Sequence, residues 1–392
     1  VGAGPAGLTA ARYLANYGAT VIRVETSKRP CTMRISAPYK DDKPGLDRSG
    51  YFNHFNANIF SLALNMEHPR ALEVAKRLVA ESDVVMENFT PGVMERWGLG
   101  YEELKKVKPD IIKLRQSGFG SWGSYAQQPA FGMILAAMAG LPNFIGWPDR
   151  GPLPVGVSAY TDCISPRFAA AALIAALDYR NKTGKGQLLD LSQFETTLYF
   201  IIPAILEYIS SGREPSRIGN SCPYAVPHSV YPCKGDDRWC TIAVFSDEQW
   251  ANLCQLIGRA EYIDDPQFDT FLNRKRNEGE IDRLISGWTI NFTSEEVMNQ
   301  MQSAGVPAGV VKNAADIYDD PQLRQRNLFW ALNHPDMGLF THLGQGFELS
   351  KTPAQARMPS PRLGEHTEYV CTKILGMTDQ EFVELVGAGV FE

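Results

Sequence analysis

Short apolar segments alternate with longer amphipathic ones over roughly the first half of the chain. Buried-strand patterns occur at Val21–Val24, Ser61–Asn65, Asp83–Phe89, Ile111–Arg115 and Gln187–Leu191. Helical patterns lie between them, as in residues 69–82, where apolar positions recur every three to four residues. Strands that alternate with helices are typical of a parallel sheet covered on both faces. The pattern therefore predicts an α/β fold with a doubly wound parallel sheet.

The pattern changes after residue 209. Residues 210–228 are rich in Gly, Pro and Ser and are predicted to be a linker. Residues 229–312 combine an apolar strand with helices that begin near Ser246 and Ser294, which predicts a smaller α+β domain. The predicted organisation is therefore a large domain in residues 1–209, the linker, the small domain, and a C-terminal segment in residues 313–392.

One long helix is predicted after residue 165. Ser165 and Pro166 have the residue types preferred at a helix N-cap and first position, and an Ala- and Leu-rich run follows to Arg180. Asp162 would then lie just ahead of the helix N-terminus, where exposed N–H groups and the helix dipole favour a carboxylate. Asp162 is therefore a candidate functional residue, and a capping aspartate is the structural alternative.

The composition and charge of the chain argue against several classes of protein. The net charge of −6 gives no basic field for nucleic acid, and no apolar run approaches the roughly 20 residues that cross a bilayer. The seven cysteines are scattered, which favours reduced thiols in a cytoplasmic protein over disulfides or a metal site. Val1 begins in the middle of a strand pattern without Met or a signal peptide, so we expect the N-terminal strand to be cut short here.

A glycine motif opens the chain. Gly2-Ala3-Gly4-Pro5-Ala6-Gly7 matches G-x-G-x-x-G, and Glu25 follows about 20 residues later at the end of a strand. This resembles the fingerprint that binds dinucleotides, and alone it favours a flavin- or NAD-dependent oxidoreductase. A tight strand-to-helix turn needs the same glycines, so this function remains an alternative.

A set of further motifs resembles the family III CoA-transferases, which include formyl-CoA transferase and carnitine CoA-transferases. The motifs extend over nearly the whole chain and are 18-GATVIRVE-25, 87-ENFTPG-92 with Arg96, Asp162, 180-RNKTGKGQ-187, 304-AGVP-307 and 363-LGEHT-367. The resemblance implies a Rossmann-like large domain built from both chain ends, an inserted small domain, and two interlocked subunits. It also implies acyl-CoA and a carboxylic acid as substrates, with no permanently bound cofactor and no metal.

The resemblance also implies roles for individual residues. Asp162 would be the nucleophile that forms an aspartyl-CoA thioester. Contacts to CoA are implied for Gly7, Leu64, Met66, Asn88, Phe89, Thr90 and Arg96. Formyl-CoA transferase has a lysine where this chain has Glu67, so phosphate binding must differ in detail.

The acceptor acid is expected to be bulky. Phe131-Gly132 and Tyr160 resemble the branch of the family that acts on benzylsuccinate, with succinyl-CoA as donor. Members of that branch form heteromers of related chains, and a chain that keeps the aspartate is the catalytic type, so a homodimer and a heteromer both stay open. An α-methylacyl-CoA racemase is the main alternative, but racemases of this kind have His-Asp where this chain has Phe131-Gly132.

Overall fold

The structure is a computed structural model that describes residues 5–156 and 160–392. The first residues of the glycine motif, Gly2 to Gly4, lie outside the described part. In chain order the strands are β1 Ile22–Glu25, β2 Phe60–Ala63, β3 Val84–Glu87, β4 Ile112–Ser117, β5 Leu188–Ser192, β6 His228–Pro232, β7 Trp239–Ala243, β8 Ala308–Val311, β9 Phe329–His334 and β10 Gly338–Leu343.

Helices separate most of these strands. In chain order they are α1 Pro5–Asn16, α2 Gly50–Phe55, α3 Ala71–Ala80, α4 Val93–Arg96, α5 Tyr101–Val107, α6 Gly132–Met138, α7 Tyr160–Thr183, α8 Gln193–Leu198, α9 Ile202–Ser211, α10 Asp247–Leu256, α11 Phe271–Arg276, α12 Glu278–Thr289, α13 Ser294–Ser303, α14 Ala314–Tyr318, α15 Pro321–Gln325, α16 Thr367–Tyr369 and α17 Asp379–Gly387. No helix in the described ranges is long and apolar enough to cross a membrane.

Parallel pairing dominates the first half of the chain. β1 pairs in parallel with β2, and β3, β4 and β5 form a second parallel sheet in that order. The prediction of a mixed α/β fold with parallel sheets and helices is confirmed. Among the described strands, β1 and β2 form a pair that is separate from the sheet of β3, β4 and β5, because β1 and β3 do not pair with each other.

Contacts between Cα atoms divide the chain into two compact units. Among the described residues the first unit holds those up to Leu141, then Pro154–Glu214 and Arg324–Glu392, and the second holds Pro142–Leu153 and Pro215–Leu323. β6, β7 and β8 form an antiparallel sheet in the second unit, over a core that includes Trp250. The predicted limits of the linker and the small domain remain predictions.

Two helix assignments made from the sequence are wrong. α7 begins at Tyr160, so Ser165 and Pro166 lie inside the helix and not at its start. The capping-box sequence 192-SQFE-195 also predicts one apolar helix that contains Pro203, but the structure has two helices there, because α8 ends at Leu198 and Pro203 is the second residue of α9. Both errors come from proline, which fits the first turn of a helix but also bends or interrupts one.

Candidate active site

Asp162 lies in the first turn of α7, not ahead of the helix as the sequence suggested. The side chain is partly buried, and the structure gives its carboxylate no hydrogen bond or ion pair among the described residues. Burial raises the pKa of Asp162 to about 6, well above the usual value near 4. At pH 7 the group is therefore mostly ionised, desolvated and not neutralised by a nearby cation, which suits a nucleophile.

The predicted substrate-pocket residues lie beside this turn. Thr161 precedes Asp162, and its hydroxyl donates to the backbone oxygen of Gly132, at 3.4 Å. Gly132 is buried at the start of α6, whereas Phe131 is exposed over 72% of its surface. The Tyr160 ring meets the Phe200 ring edge-on, with the centroids 5.8 Å apart. The first turns of α6 and α7 therefore bring Asp162, Gly132 and Tyr160 into one neighbourhood.

The predicted CoA contacts gather around a separate feature, a cavity of about 1080 Å³ along β1, β2 and β3. Its walls include Leu64, Met66, Phe89 and Arg96, so four of the seven predicted contacts share one space. Among the described strands, β1 and β3 each leave one edge unpaired, and residues of both strands line the cavity. The walls are mostly apolar along the strands.

Charged residues follow β1 and β2 at the carboxyl ends of these strands. Lys28, Arg29 and Glu67 line the cavity there together with Arg96. Arg29 forms an exposed ion pair with Glu67, at 3.4 Å. Sequence reasoning missed Lys28 and Arg29, because nothing in their spacing sets them apart from ordinary surface cations. Arg29 therefore places a positive charge beside Glu67, whereas Lys28 pairs with Glu392 at 3.1 Å.

A buried charge network supports the segment that follows β3. The backbone N–H of Phe89 donates to the Glu87 carboxylate at 2.9 Å, and Arg115 on β4 contacts Glu87 and Glu95. Lys113, fully buried, lies 4.0 Å from Glu87 and 3.8 Å from Glu95. Burial raises the pKa of Glu87 and lowers that of Lys113. The network joins α4, which carries Arg96, to the sheet.

The remaining predicted contacts lie close to this network. Gly7 in α1 faces Asn88, because a Cβ added to Gly7 would lie 3.5 Å from the Asn88 Cγ atom. Thr90 is exposed, and its backbone oxygen accepts from the N–H of Val93 at the start of α4. The turn into α4 uses Gly92 at φ +93°, a backbone conformation that favours glycine.

Glu25 does not behave as a ribose-binding acid. Its carboxylate accepts from Arg34 at 2.7 and 2.9 Å and from the Ser61 hydroxyl at 2.7 Å. Burial alone would raise its pKa, but the charges of Arg23 and Arg34 and the hydrogen bonds hold the pKa below its usual value. Because Arg34 and Ser61 occupy both oxygens, Glu25 is a structural residue, and the dinucleotide interpretation loses its acidic partner.

Comparison with known proteins decides the family. Residues 1–367 match the family model described as CoA-transferase family III. The chain belongs to this family. It is therefore a CoA-transferase, which confirms the prediction made from the motifs.

Named relatives of this CoA-transferase act on succinyl-CoA. The chain is 34% identical to succinyl-CoA–D-citramalate CoA-transferase of Chloroflexus aurantiacus, over 98% of this chain and 94% of that protein. It is 31% identical to the beta subunit of succinyl-CoA–L-malate CoA-transferase from the same organism, over 83% and 80% of the two chains. A crystal structure of a CaiB/BaiF family protein from Brucella suis matches with a TM-score of 0.88 and 28% identity, over 95% and 97% of the two chains.

Proposed function

We propose that this CoA-transferase moves CoA from succinyl-CoA to a 2-substituted succinate, through a covalent thioester on Asp162. The observation that carries the proposal is the setting of Asp162. Its carboxylate lies in the first turn of α7, partly buried and without a neutralising partner among the described residues, and its pKa is raised to about 6. A carboxylate that water and cations do not stabilise is more reactive toward a thioester carbonyl than one in water.

The reaction needs four acyl-transfer steps. Asp162 attacks the thioester carbon of succinyl-CoA, the C–S bond breaks, and a mixed anhydride and CoA thiolate form. The thiolate then attacks the aspartyl carbonyl, which releases succinate and leaves the aspartyl-CoA thioester. The acceptor carboxylate attacks that thioester to give a second anhydride and thiolate. Attack of the thiolate on the acceptor acyl carbon yields the new acyl-CoA and regenerates the Asp162 carboxylate.

CoA is proposed to bind at the carboxyl ends of β1, β2 and β3. Apolar residues such as Leu64, Met66 and Phe89 would pack against the adenosine, and Arg96 and Arg29 would meet its phosphates. Arg29 can bind a phosphate in place of Glu67, because an exposed ion pair such as theirs contributes only about 0–1 kcal/mol.

We also propose that the first unit is Rossmann-like and that the second unit is inserted into it.

The acceptor is proposed to carry two carboxylates. D-Citramalate and L-malate, named for two relatives, are succinates substituted at carbon 2, and benzylsuccinate is a third member of that class. Tyr160 and Phe131, which precedes Gly132 in the chain, would supply apolar surface to the acceptor, and Gly132 adds no side chain. Burial of apolar surface contributes about 25 cal/mol for each Å². This favours benzylsuccinate over the hydroxylated acids.

A second copy of the chain is proposed to cover α9. This helix is mostly apolar and has no buried residue, with Leu206 exposed over 56% and Ile209 over 72% of their surfaces. Exposed apolar patches of this kind mark interfaces. Because this chain keeps Asp162, it needs no other subunit to supply the nucleophile, so we propose an interlocked homodimer. One relative is named as a beta subunit, and co-purification of a second, different subunit with this chain would contradict the homodimer. The scattered positions of the seven cysteines along the sequence support a reducing, cytoplasmic location.

Trapping of the intermediate tests the proposal. Incubation with succinyl-CoA and hydroxylamine is expected to convert Asp162 to a hydroxamate, located by peptide mass, and Asp162→Ala is expected to abolish CoA transfer. A panel of benzylsuccinate, D-citramalate, L-malate and oxalate then ranks the acceptors. Transfer at the wild-type rate by Asp162→Ala would contradict the covalent route, whereas preference for oxalate would contradict only the acceptor.

A further inference from the structure

Gln116 is buried at the end of β4 and contacts α7, although the mechanism above gives it no role. Its side chain is 1% exposed, and its Nε2 atom donates to the Ser165 hydroxyl at 2.8 Å. The Ser165 hydroxyl in turn donates to the backbone oxygen of Thr161, also at 2.8 Å. Because this hydroxyl has one proton and gives it to Thr161, it can only accept from Gln116. The N–H side of the amide must therefore face Ser165.

Pro166 removes one backbone hydrogen bond from the turn that these side chains contact. Proline has no N–H, so the backbone oxygen of Asp162, four residues earlier, cannot receive its usual helical hydrogen bond. The proline ring also crowds that oxygen, and a serine bonded back to residue i−4 tends to bend a helix further. The turn that carries Asp162 thus lacks one of the backbone hydrogen bonds that would join it to the rest of α7. The hydrogen bonds of the Ser165 and Gln116 side chains connect this turn to β4 instead.

Thr161 connects the same turn to α6. Its hydroxyl donates to Gly132 at the start of α6. Asp162 is the next residue and lies three positions before Ser165, so Asp162 and Ser165 are neighbours on the helix surface. The turn is therefore held at Ser165 from β4 and at Thr161 from α6, with Asp162 between the two points.

We propose that Gln116 is a positioning residue for Asp162, acting through Ser165 on the turn ahead of Pro166. The inference rests on the proposed nucleophilic role of Asp162. Gln116 does not touch the substrate in this scheme, and its contribution is to keep the carboxylate at the distance and angle from which it attacks the thioester carbon. Misplacement of a reacting group by about 1 Å can lower a rate on the order of 100-fold.

Removal of either side chain tests the proposal. Gln116→Met and Ser165→Ala are each expected to slow hydroxamate formation at Asp162 at least tenfold under saturating succinyl-CoA. KM for succinyl-CoA should change less than twofold, because neither residue lines the proposed CoA cavity. The double variant should be no slower than the slower single variant, since both substitutions break the same relay.

Thr183→Ala is the matched control. Thr183 makes the same hydroxyl bond to a backbone oxygen four residues earlier, at 2.8 Å, but at the other end of α7, about 30 Å from Asp162. Its rate of hydroxamate formation should match the wild type. Ser165→Ala removes only one oxygen atom, so this variant alone can test the proposal if Gln116→Met does not fold. Melting temperatures of all variants show whether each one is folded.

The possible outcomes separate this inference from the proposed function. Wild-type rates in both the Gln116 and Ser165 variants, while the wild type still labels at Asp162, would overturn the positioning role alone. Multiplying effects in the double variant, or an equal loss in Thr183→Ala, would also overturn it. Absence of label at Asp162 in the wild type would instead refute the proposed function.

Discussion

Replacement of Asp162 by Asn should stabilise the protein while it removes activity. Burial raises the pKa of Asp162 from 3.8 to about 6, and each pKa unit corresponds to about 1.4 kcal/mol. The ionised carboxylate therefore destabilises the folded state by about 3 kcal/mol at neutral pH, and partial access to water lowers the expected gain to between about 1 and 3 kcal/mol. Asn has nearly the same shape and no charge, so it should recover this free energy.

The sign of the pH dependence follows from the same shift. The folded protein holds the Asp162 proton more tightly than the unfolded chain, so Asp162 makes the protein less stable as pH rises from about 4 to about 6. Above pH 7 the penalty is complete and constant. The amide introduced by Asp162→Asn does not titrate, so the advantage of this variant should be about a third of its full size at pH 4.5 and complete at pH 7.5.

Denaturant unfolding at these two pH values measures the difference. Asp178→Asn is the control, because Asp178 is an exposed aspartate on the same helix that pairs with Lys182, and its replacement should change stability by no more than about 0.5 kcal/mol. An Asp162→Asn protein no more stable than the wild type at pH 7.5 would refute the reasoning. The same gain at both pH values would refute it too, since the gain would then not come from the ionised carboxylate.

Two further predictions concern phosphate binding and acid stability. Arg96→Gln should weaken CoA binding about tenfold, as measured by calorimetry. Glu67→Gln should strengthen CoA binding, because the substitution removes a negative charge that would repel the phosphates and releases Arg29 from its ion pair. Equal affinities for CoA in the two variants would contradict this site. Burial lowers the pKa of His342 to about 4, so the folded state loses stability as pH falls from 6.5 toward 4, by up to about 3 kcal/mol from this group. His342→Asn should flatten that slope in unfolding experiments, and an unchanged slope would show that another group is responsible.

The strands were predictable because their signal is local. β3 and β4 are short apolar segments bounded by turn residues, and their positions agree with the sequence pattern to within a few residues. The start of α7 was not predictable in the same way. Ser165 and Pro166 have the residue types of a helix start, yet the chain continues the helix back to Tyr160, because Gln116 and Gly132 hold the extra turn through long-range hydrogen bonds.

The residues of the candidate site likewise differ in whether the sequence around them carries a signal. Asp162, Phe89 and Arg96 could be named as candidates because they belong to motifs that resemble the family, and their roles stay predictions. Gln116 carries no such signal, because the sequence alone does not show whether an isolated glutamine within a strand is buried or on the surface. Arg29 was missed for a similar reason, as only the folded chain brings it beside Glu67. Roles that depend on contacts between distant segments need the structure.

The apolar exposure of α9 has a consequence for how the enzyme loses activity. If a second copy covers Leu206 and Ile209, the free energy of folding includes a term that depends on total protein concentration. Dilution alone would then shift the population toward isolated chains, and the melting temperature would rise with the logarithm of concentration. An isolated chain would also present α9 to any other apolar surface, so aggregation would compete with reassembly.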